Sequence, residues 1–144
     1  MVGYHSRAWA LALAGAMCQC CSPAKSAQAE QATVRSVVAG TELAWMAAAE
    51  TCVDVAATKS DQKLLVTCAS ILEPARNELM LADSIVNGWT DATTGSPLVV
   101  TLQHVTASVD AALVIMGVKP PTAVTEAETA LDLLAKSYIP QAAK

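Results

Sequence analysis

The sequence predicts an all-α fold: an antiparallel up-and-down four-helix bundle whose first two helices form a disulfide-bonded hairpin. Alanine, the strongest helix former, supplies 29 of the 144 residues, and 53% of the chain is hydrophobic. Apolar residues recur at spacings of three and four in four separate segments, which is the period of one helix face. Glycine, proline and N-capping residues interrupt these segments at short connections, as expected between antiparallel neighbours.

The first 29 residues have the order of segments found in a secretory signal peptide. Arg7 is the only formally charged residue before an uninterrupted apolar run, Ala8 to Met17, which small and polar residues follow. The run is too short to span a bilayer, which takes about 20 apolar residues. Ala27-Gln28-Ala29 supplies a cleavage site, and Ala24-Lys25-Ser26 supplies a second one. We therefore expect export to the periplasm or the extracellular space; a buried N-terminal helix is the alternative.

Three of the five cysteines, Cys18, Cys20 and Cys21, lie in this segment. A lipoprotein signal places its lipidated cysteine after a small residue, whereas Met17 precedes Cys18, so the match is imperfect. Cys18 is the candidate for lipidation in a membrane-anchored form. Cleavage after Ala29 removes all three cysteines and leaves one pair. The chain is accordingly divided into a signal peptide, residues 1–29, and a helical bundle domain, residues 30–144.

The first helix is expected from about Thr33 to Ala57. Its apolar stripe has spacings of four and three and consists of Val34, Val38, Thr41, Trp45, Ala48, Cys52 and Val55. Gly40 weakens this helix, and we expect it to admit the close approach of a neighbouring helix.

The second helix is expected to begin with Ser60 as its N-cap and to end at Asn87-Gly88. Asp61 lies in its first turn, where a carboxylate is favourable. Its stripe consists of Leu64, Cys68, Ile71, Ala75, Leu79, Ala82 and Val86. Because the stripe keeps its phase across Pro74, we predict one kinked helix here and not two separate helices.

Cys52 and Cys68 lie on the stripes of these two helices, and each is eight residues from Ser60. An antiparallel hairpin that turns at Ser60 brings the two cysteines face to face. An oxidising compartment would join them, and closing a loop of this size contributes about 3 kcal/mol to stability. A redox-active pair is the alternative, but Cys52 and Cys68 do not have the Cys-x-x-Cys spacing typical of such pairs.

The third helix is expected to open at Ser96-Pro97, after a turn-rich loop at residues 88–95, and to end at Gly117. Its inner stripe consists of Leu98, Leu102, Val105, Val109, Ala112 and Met116. Pro120-Pro121 then forms a stiff connection to the fourth helix.

The fourth helix begins at Thr122 or at Thr125, since Thr125 and Glu128 have the spacing of a capping box. Its stripe consists of Val124, Ala127, Leu131, Leu134 and Tyr138, and Pro140 stops it. The alternative to the four-helix bundle is a three-helix core on which this last helix docks loosely.

The third helix carries a second apolar line on the side opposite its inner stripe. Asp110 is the only formal charge between Ser96 and Val118, and a helix that is apolar all round is usually buried on both sides. This second line consists of Val100, Ala107, Ala111, Val114 and Val118. We name its first four members the outer line and predict that they meet a partner protein or a second copy of the chain. Alternatively, the stripe phase is wrong, or these are single exposed apolar residues. Further apolar residues off the stripes are Leu43, Met46, Val66, Met80 and Leu81.

The charge of the chain disfavours nucleic acid and anionic lipid as partners. Its net charge is −4, and the domain from Glu30 onwards has 7 basic and 13 acidic residues. Two carboxylate pairs, Glu50 with Asp54 and Glu128 with Asp132, are each one helical turn apart and could hold a hard cation weakly. We interpret both pairs as a solvated acidic surface and predict no metal site.

Catalytic and cofactor motifs are absent from the sequence. The domain has a single histidine, His104, which lies off the inner stripe, so no nucleophile–base pair is indicated. Haem ligation through Met46 and His104 is conceivable, but both lie off their stripes, and no Cys-x-x-Cys-His or Glu-x-x-His motif occurs. We therefore predict no enzyme and no cofactor.

These observations together predict an exported, non-enzymatic helical protein that binds a protein partner in the cell envelope. Its role would be that of an inhibitor, an immunity protein or an escort. The alternative is a self-associating structural envelope protein that contacts the membrane only through a lipid anchor.

Overall fold

A computed structural model describes residues 23–89 and 95–138, with side chains from residue 28 onwards. Within these ranges the protein is all-helical, without strands, as predicted. The four helices are α1 (Pro23–Lys59), α2 (Gln62–Asn87), α3 (Gly95–Met116) and α4 (Thr122–Tyr138). The candidate lipidation site Cys18 and most of the predicted signal peptide lie outside the described residues.

Helix α1 begins ten residues before the predicted Thr33, because the segment 23–32 is rich in helix formers although it lacks an apolar stripe. The predicted stripe of α1 is confirmed: its members are buried, apart from half-buried Trp45 and Val55. The hydroxyl group of buried Thr41 donates a hydrogen bond to the carbonyl oxygen of Val37 at 2.9 Å, which satisfies it inside the helix.

The connection between α1 and α2 differs from the prediction by one residue. Ser60 is not the N-cap of α2: it adopts a left-handed conformation, with φ of 51°, and terminates α1. The amide of Asp61 donates to the carbonyl oxygen of Ala56 at 2.9 Å, the long hydrogen bond of a Schellman motif. Asp61 is the actual N-cap, since its carboxylate accepts a hydrogen bond from the amide of Leu64 at 2.9 Å. Pro74 lies inside one continuous helix, as predicted.

Helix α3 confirms its inner stripe, all six members of which are buried. It begins at Gly95 and not with Ser96 as its N-cap. A side chain at Gly95 would overlap the aromatic ring of Tyr138, so only glycine fits at this contact with α4. At the other end, Gly117 has a φ of 69°, and the amide of Val118 donates to Leu113, which completes a second Schellman motif.

Helix α4 begins at Thr122, so the capping box of Thr125 with Glu128 is wrong. Thr125 lies inside the first turn, where its hydroxyl group donates to the carbonyl oxygen of Thr122 at 2.9 Å. The helix starts earlier because the carbonyl oxygen of Pro121, which precedes the helix, accepts a hydrogen bond from the amide of Val124 at 2.9 Å. The predicted stripe of α4 is buried except for Tyr138, which is half-buried and packs edge-on against Trp89 with ring centroids 6.0 Å apart.

The core runs between α1 and α3, each of which contacts the other three helices. Helix α3 buries more than its predicted stripe, because Val99, Thr106 and Leu113 are also buried, toward its other flank. Its largest fully buried side chains are Leu98, Leu102 and Leu113. The wide buried face of α3 leaves only a narrow strip of this helix in contact with solvent.

Cys52 and Cys68 form the predicted disulfide, which joins α1 to α2 with their Cα atoms 6.4 Å apart. Both residues are buried, and they belong to one core cluster with Leu72, Val109 and Leu113. The bond therefore cross-links the interior of the protein.

Gly40 does not admit a neighbouring helix, contrary to our expectation, since a Cβ atom at this position would have no neighbour within 4 Å. Its cost to α1 is therefore uncompensated by packing. We expect Gly40→Ala to raise the free energy of unfolding by about 0.5–1 kcal/mol. The measurement is urea denaturation followed by circular dichroism.

Gly117→Ala is the matched control, because that position is also sterically open but has a left-handed backbone. There the same substitution should lower the free energy of unfolding by about 1 kcal/mol. Stabilisation by both variants, or by neither, would contradict this account of the two glycines.

Candidate functional site

The outer line of α3 is exposed to solvent along its whole length. Val100 and Val114 are 42% and 77% exposed, and Ala107 and Ala111 between them are also exposed. The structure therefore confirms which face of α3 is buried, and the four residues of the outer line do not belong to the core. Gln103 and His104 are also exposed, and each lies one turn from Val100 and from Ala107, so two polar side chains interrupt the apolar strip. Val118, the fifth residue of the predicted second line, lies beyond the end of α3 and is half-buried against the core.

Acidic side chains border the outer line on both flanks. On the α2 side, Nδ1 of His104 lies 3.6 Å from Oε1 of Glu78, and both side chains reach solvent. On the α4 side, the carboxyl group of Glu128 lies close enough to Asp110 for a hydrogen bond to form when one of the two carboxyl groups is protonated. A partner that covers the line would thus meet apolar and small side chains in the middle and carboxylates at the edges.

The pKa of the Glu128 carboxyl group is raised above its usual value of 4.5. Partial burial contributes most, and the hydrogen bond and the charge of Asp110 add to it. The folded protein therefore favours protonated Glu128, and this contribution to stability is present at low pH. The contribution is lost as the pH rises from the usual pKa of the unfolded chain to the raised pKa of the folded protein. Above both pKa values Glu128 and Asp110 are both charged, and their repulsion is destabilising.

We expect Glu128→Gln to raise the free energy of unfolding at neutral pH by about 0.5 kcal/mol, a small amount because solvent screens this partly exposed pair. We expect the stability of the parent protein to decline above pH 4.5 as Glu128 ionises, and the variant should decline less over the same range. Chemical denaturation in a pH series measures both effects. Glu126→Gln, an exposed glutamate on the same helix, is the control and should change neither; equal effects of the two variants would exclude the Asp110 contact as the cause.

A second surface, which the sequence did not indicate, is a groove along the exposed side of α1 and α2. We call it the hairpin groove. Two cavities, of about 290 and 680 Å³, form its ends, and Trp45 and Arg76 line both of them. The indole Nε1 of Trp45 donates a hydrogen bond to the carbonyl oxygen of Leu72 at 2.8 Å, so its ring is fixed in the floor of the groove.

Side chains that lie off the predicted stripes form the walls of the hairpin groove. Met46 and Val53 stand on α1, and Leu65 and Met80 stand on α2. All four are exposed, Val53 by 54% and Met80 by 65%. Met46 and Met80 were already recognisable in the sequence as apolar residues off their stripes. The fact that they face each other across one groove depends on the rotation of α1 against α2.

The other residues singled out by chemistry are dispersed. Met46 lines the hairpin groove between α1 and α2, whereas His104 pairs with Glu78 between α2 and α3. Glu50 and Asp54 are both exposed on α1.

In the second carboxylate pair Asp132 is exposed, whereas Glu128 is half-buried. On α4, the carboxylate of exposed Asp132 forms an ion pair with Nζ of Lys136, one turn further along, at 2.6 Å. The described part of the chain contains no group of three or more histidine, cysteine, aspartate and glutamate residues arranged to hold a metal ion.

By length and composition, α3 is the one helix among the described residues that is apolar enough to cross a membrane. Core helices of water-soluble proteins meet the same criterion, and α3 contacts each of the other three helices. Comparison of the chain with protein-family models, with curated proteins and with solved structures gives no match.

Proposed function

We propose that this chain is an exported, non-enzymatic helical protein that binds a protein partner in the cell envelope through the outer line of α3. It would act as an inhibitor, an immunity protein or an escort. The observation that carries the proposal is the exposure of four apolar or small residues in one line, on a helix with a single formal charge. Exposed apolar residues grouped on one helix face, with few charges among them, are typical of interaction sites.

The four helices, in this proposal, form an antiparallel up-and-down bundle. Three contacts between α1 and α2 support an antiparallel hairpin. From one contact to the next, the residue number on α1 rises while the residue number on α2 falls. The contacts are the hydrogen bond from Gln31 to Val86, the hydrogen bond from Trp45 to Leu72, and the disulfide from Cys52 to Cys68. The short α1–α2 and α3–α4 connections agree with the same topology.

Export is supported by the apolar run from Ala8 to Met17 and by the buried disulfide, since disulfides persist in oxidising compartments. Mass spectrometry of the product recovered from the envelope tests this part of the proposal. The expected mass is that of a chain that begins near Glu30 and lacks the two thiol hydrogens. A mass that includes a lipid on Cys18 would instead support the anchored form, and free thiols at Cys52 and Cys68 would contradict export to an oxidising compartment.

Partner binding is tested by comparing the parent protein with a Val100→Asp/Val114→Asp variant. Both positions are exposed, so the variant should fold, and it should lose the partner that the parent recovers from envelope extract. Leu43→Asp/Leu133→Asp is the matched control, because it adds two charges at exposed apolar positions on α1 and α4. Binding must then be reproduced with the purified partner. Equal recovery by all three proteins would rule out the outer line as the interface.

Self-association is the competing outcome of the same surface. A concentration series by light scattering should show a monomer if the partner is a different protein. Dimers or larger species that disappear in the Val100→Asp/Val114→Asp variant would show that α3 pairs with a second copy, and the partner proposal would fail.

A further inference from the structure

We propose that the hairpin groove is a second binding site, which takes a cationic amphipathic helix of another protein. This inference goes beyond the proposed function, since the groove lies between α1 and α2 and shares no residue with the outer line of α3. It rests on three features of the groove: its length, its apolar lining and its charge.

The groove has the dimensions of a helix-binding site. Its lining residues on α2 extend from Leu65 to Asp83, which corresponds to about 27 Å along the helix axis. On α1 they extend from Val38 to Val53, or about 22 Å. An occupant helix of about 16 residues would fill this length.

The lining of the groove is apolar and largely preformed. Its floor consists of Trp45, Ala49 and Leu72, and the hydrogen bond from the indole to the Leu72 carbonyl group holds the largest of these side chains in place. The disulfide at Cys52 fixes one end of the floor. Exposed methionine side chains at positions 46 and 80 can adapt to the shape of an apolar helix face. Amphipathic helices bind other proteins by laying their apolar residues into such a groove.

The charges around the groove select a basic occupant. Five carboxylates and one basic group, Arg76, line the two cavities of the groove and a third cavity that adjoins them at Ala49. The carboxylates are Glu42, Glu50, Asp54, Glu73 and Asp83. None of the five is in a salt bridge with another residue of the part of the chain that the structure describes. They are therefore free to pair with lysine and arginine side chains that flank the apolar face of a bound helix.

A second copy of this chain does not have that chemistry. Each of the four helices carries more acidic than basic residues, and α3 carries only Asp110. Like charges juxtaposed across an interface oppose association, which disfavours α1, α2 and α4 as occupants, and α3 has no lysine or arginine residue to pair with the carboxylates. The groove therefore favours a basic helix from another protein.

The test uses the purified, disulfide-bonded protein and a synthetic 16-residue helical peptide with leucine on one face and lysine on the other. Fluorescence anisotropy of the labelled peptide measures the dissociation constant. A second peptide with glutamate in place of lysine shares the apolar face and should bind at least about tenfold more weakly. Equal affinity of the two peptides would overturn the charge argument.

Matched variants locate the bound peptide. Glu73→Lys in the groove should weaken binding of the lysine peptide about fivefold, whereas Glu126→Lys, the same change on α4, should weaken it less than about twofold. Met80→Ala should weaken binding by a similar factor to Glu73→Lys, and Leu133→Ala, a matched loss at an exposed apolar residue of α4, should not. If Glu126→Lys weakened binding as much as Glu73→Lys, the peptide would be attracted by net charge alone and the site would be refuted.

The Val100→Asp/Val114→Asp variant separates this site from the outer line of α3. It should bind the lysine peptide as the parent does, because neither position contacts the groove. Loss of peptide binding in this variant alone would move the peptide to α3 and overturn the groove proposal. Loss of the envelope partner in that variant, with peptide binding retained, would support both proposals independently.

Discussion

Replacing Cys52 and Cys68 together with alanine is expected to lower the free energy of unfolding by about 3 kcal/mol. The disulfide closes a loop with a sequence separation of 16 residues. In the chain-entropy model, cutting it releases the unfolded chain to sample many more conformations, which favours unfolding. Alanine fits both buried positions, so the loss should come chiefly from the cross-link itself. Urea denaturation of the parent and the double variant measures the difference.

Reduction of the parent protein is the control for this prediction. Its disulfide and the two thiols that replace it occupy nearly the same buried space, so reduction removes the cross-link without removing the sulfur atoms. The reduced parent and the double alanine variant should therefore unfold at similar urea concentrations, both well below the oxidised parent. An unfolding midpoint that does not change on reduction would mean that the hairpin is held by packing alone.

The disulfide also makes the proposed groove site sensitive to reduction. Cys52 lies in the floor of the hairpin groove beside Trp45, and Cys68 lies opposite it in the core. A reduced protein would keep the residues of the groove but would hold α1 and α2 together less firmly at that end. The lysine peptide should consequently bind more weakly to the reduced protein, which is the form that a reducing compartment would maintain.

Periodicity predicted most of the buried residues of each helix, but not all of them. In α2, Leu64 and Ile71 of the predicted stripe are half-buried, and Leu72, which the stripe omits, is buried. The stripes of α1 and α3 are correct because their buried positions follow helical spacing without interruption, and the cysteine pair follows from two stripes and one turn. The ends of the helices were harder to predict. Ser60 has the residue type of an N-cap but takes the left-handed conformation that ends α1, and Asp61 next to it caps α2. Two adjacent capping residues leave the choice to backbone geometry that sequence does not encode locally.

The hairpin groove could not be predicted for a different reason. Trp45 belongs to the stripe of α1, and periodicity gives no sign that its side chain is only half-buried and lines a groove between two helices. Met46 and Met80 are 34 positions apart in the chain, so only the packing of α1 against α2 places them on one groove. Gly40 shows the converse error: its residue type suggested a close approach, but no other helix passes near it.

Leu102→Ala is expected to lower the free energy of unfolding by about 3 kcal/mol, within the range of fully buried leucines. Leu102 is completely inaccessible to solvent and belongs to the core cluster that α3 shares with the other three helices. Truncation removes apolar contacts and leaves a cavity that the surrounding helices can fill only in part. Chemical denaturation measures the loss, and an unchanged slope against urea concentration would show that the fold is retained.

Leu133→Ala provides the comparison, because it makes the same truncation in a helix at a position that is 63% exposed. It should change the free energy of unfolding by less than about 0.5 kcal/mol. A large loss at Leu102 would show that the inner stripe of α3 faces the core in solution. Since the outer line lies on the side of α3 opposite the inner stripe, Val100 and Val114 then face solvent. A loss at Leu102 as small as the loss at Leu133 would mean that α3 is rotated in solution, and the proposed partner surface would then lie toward the core.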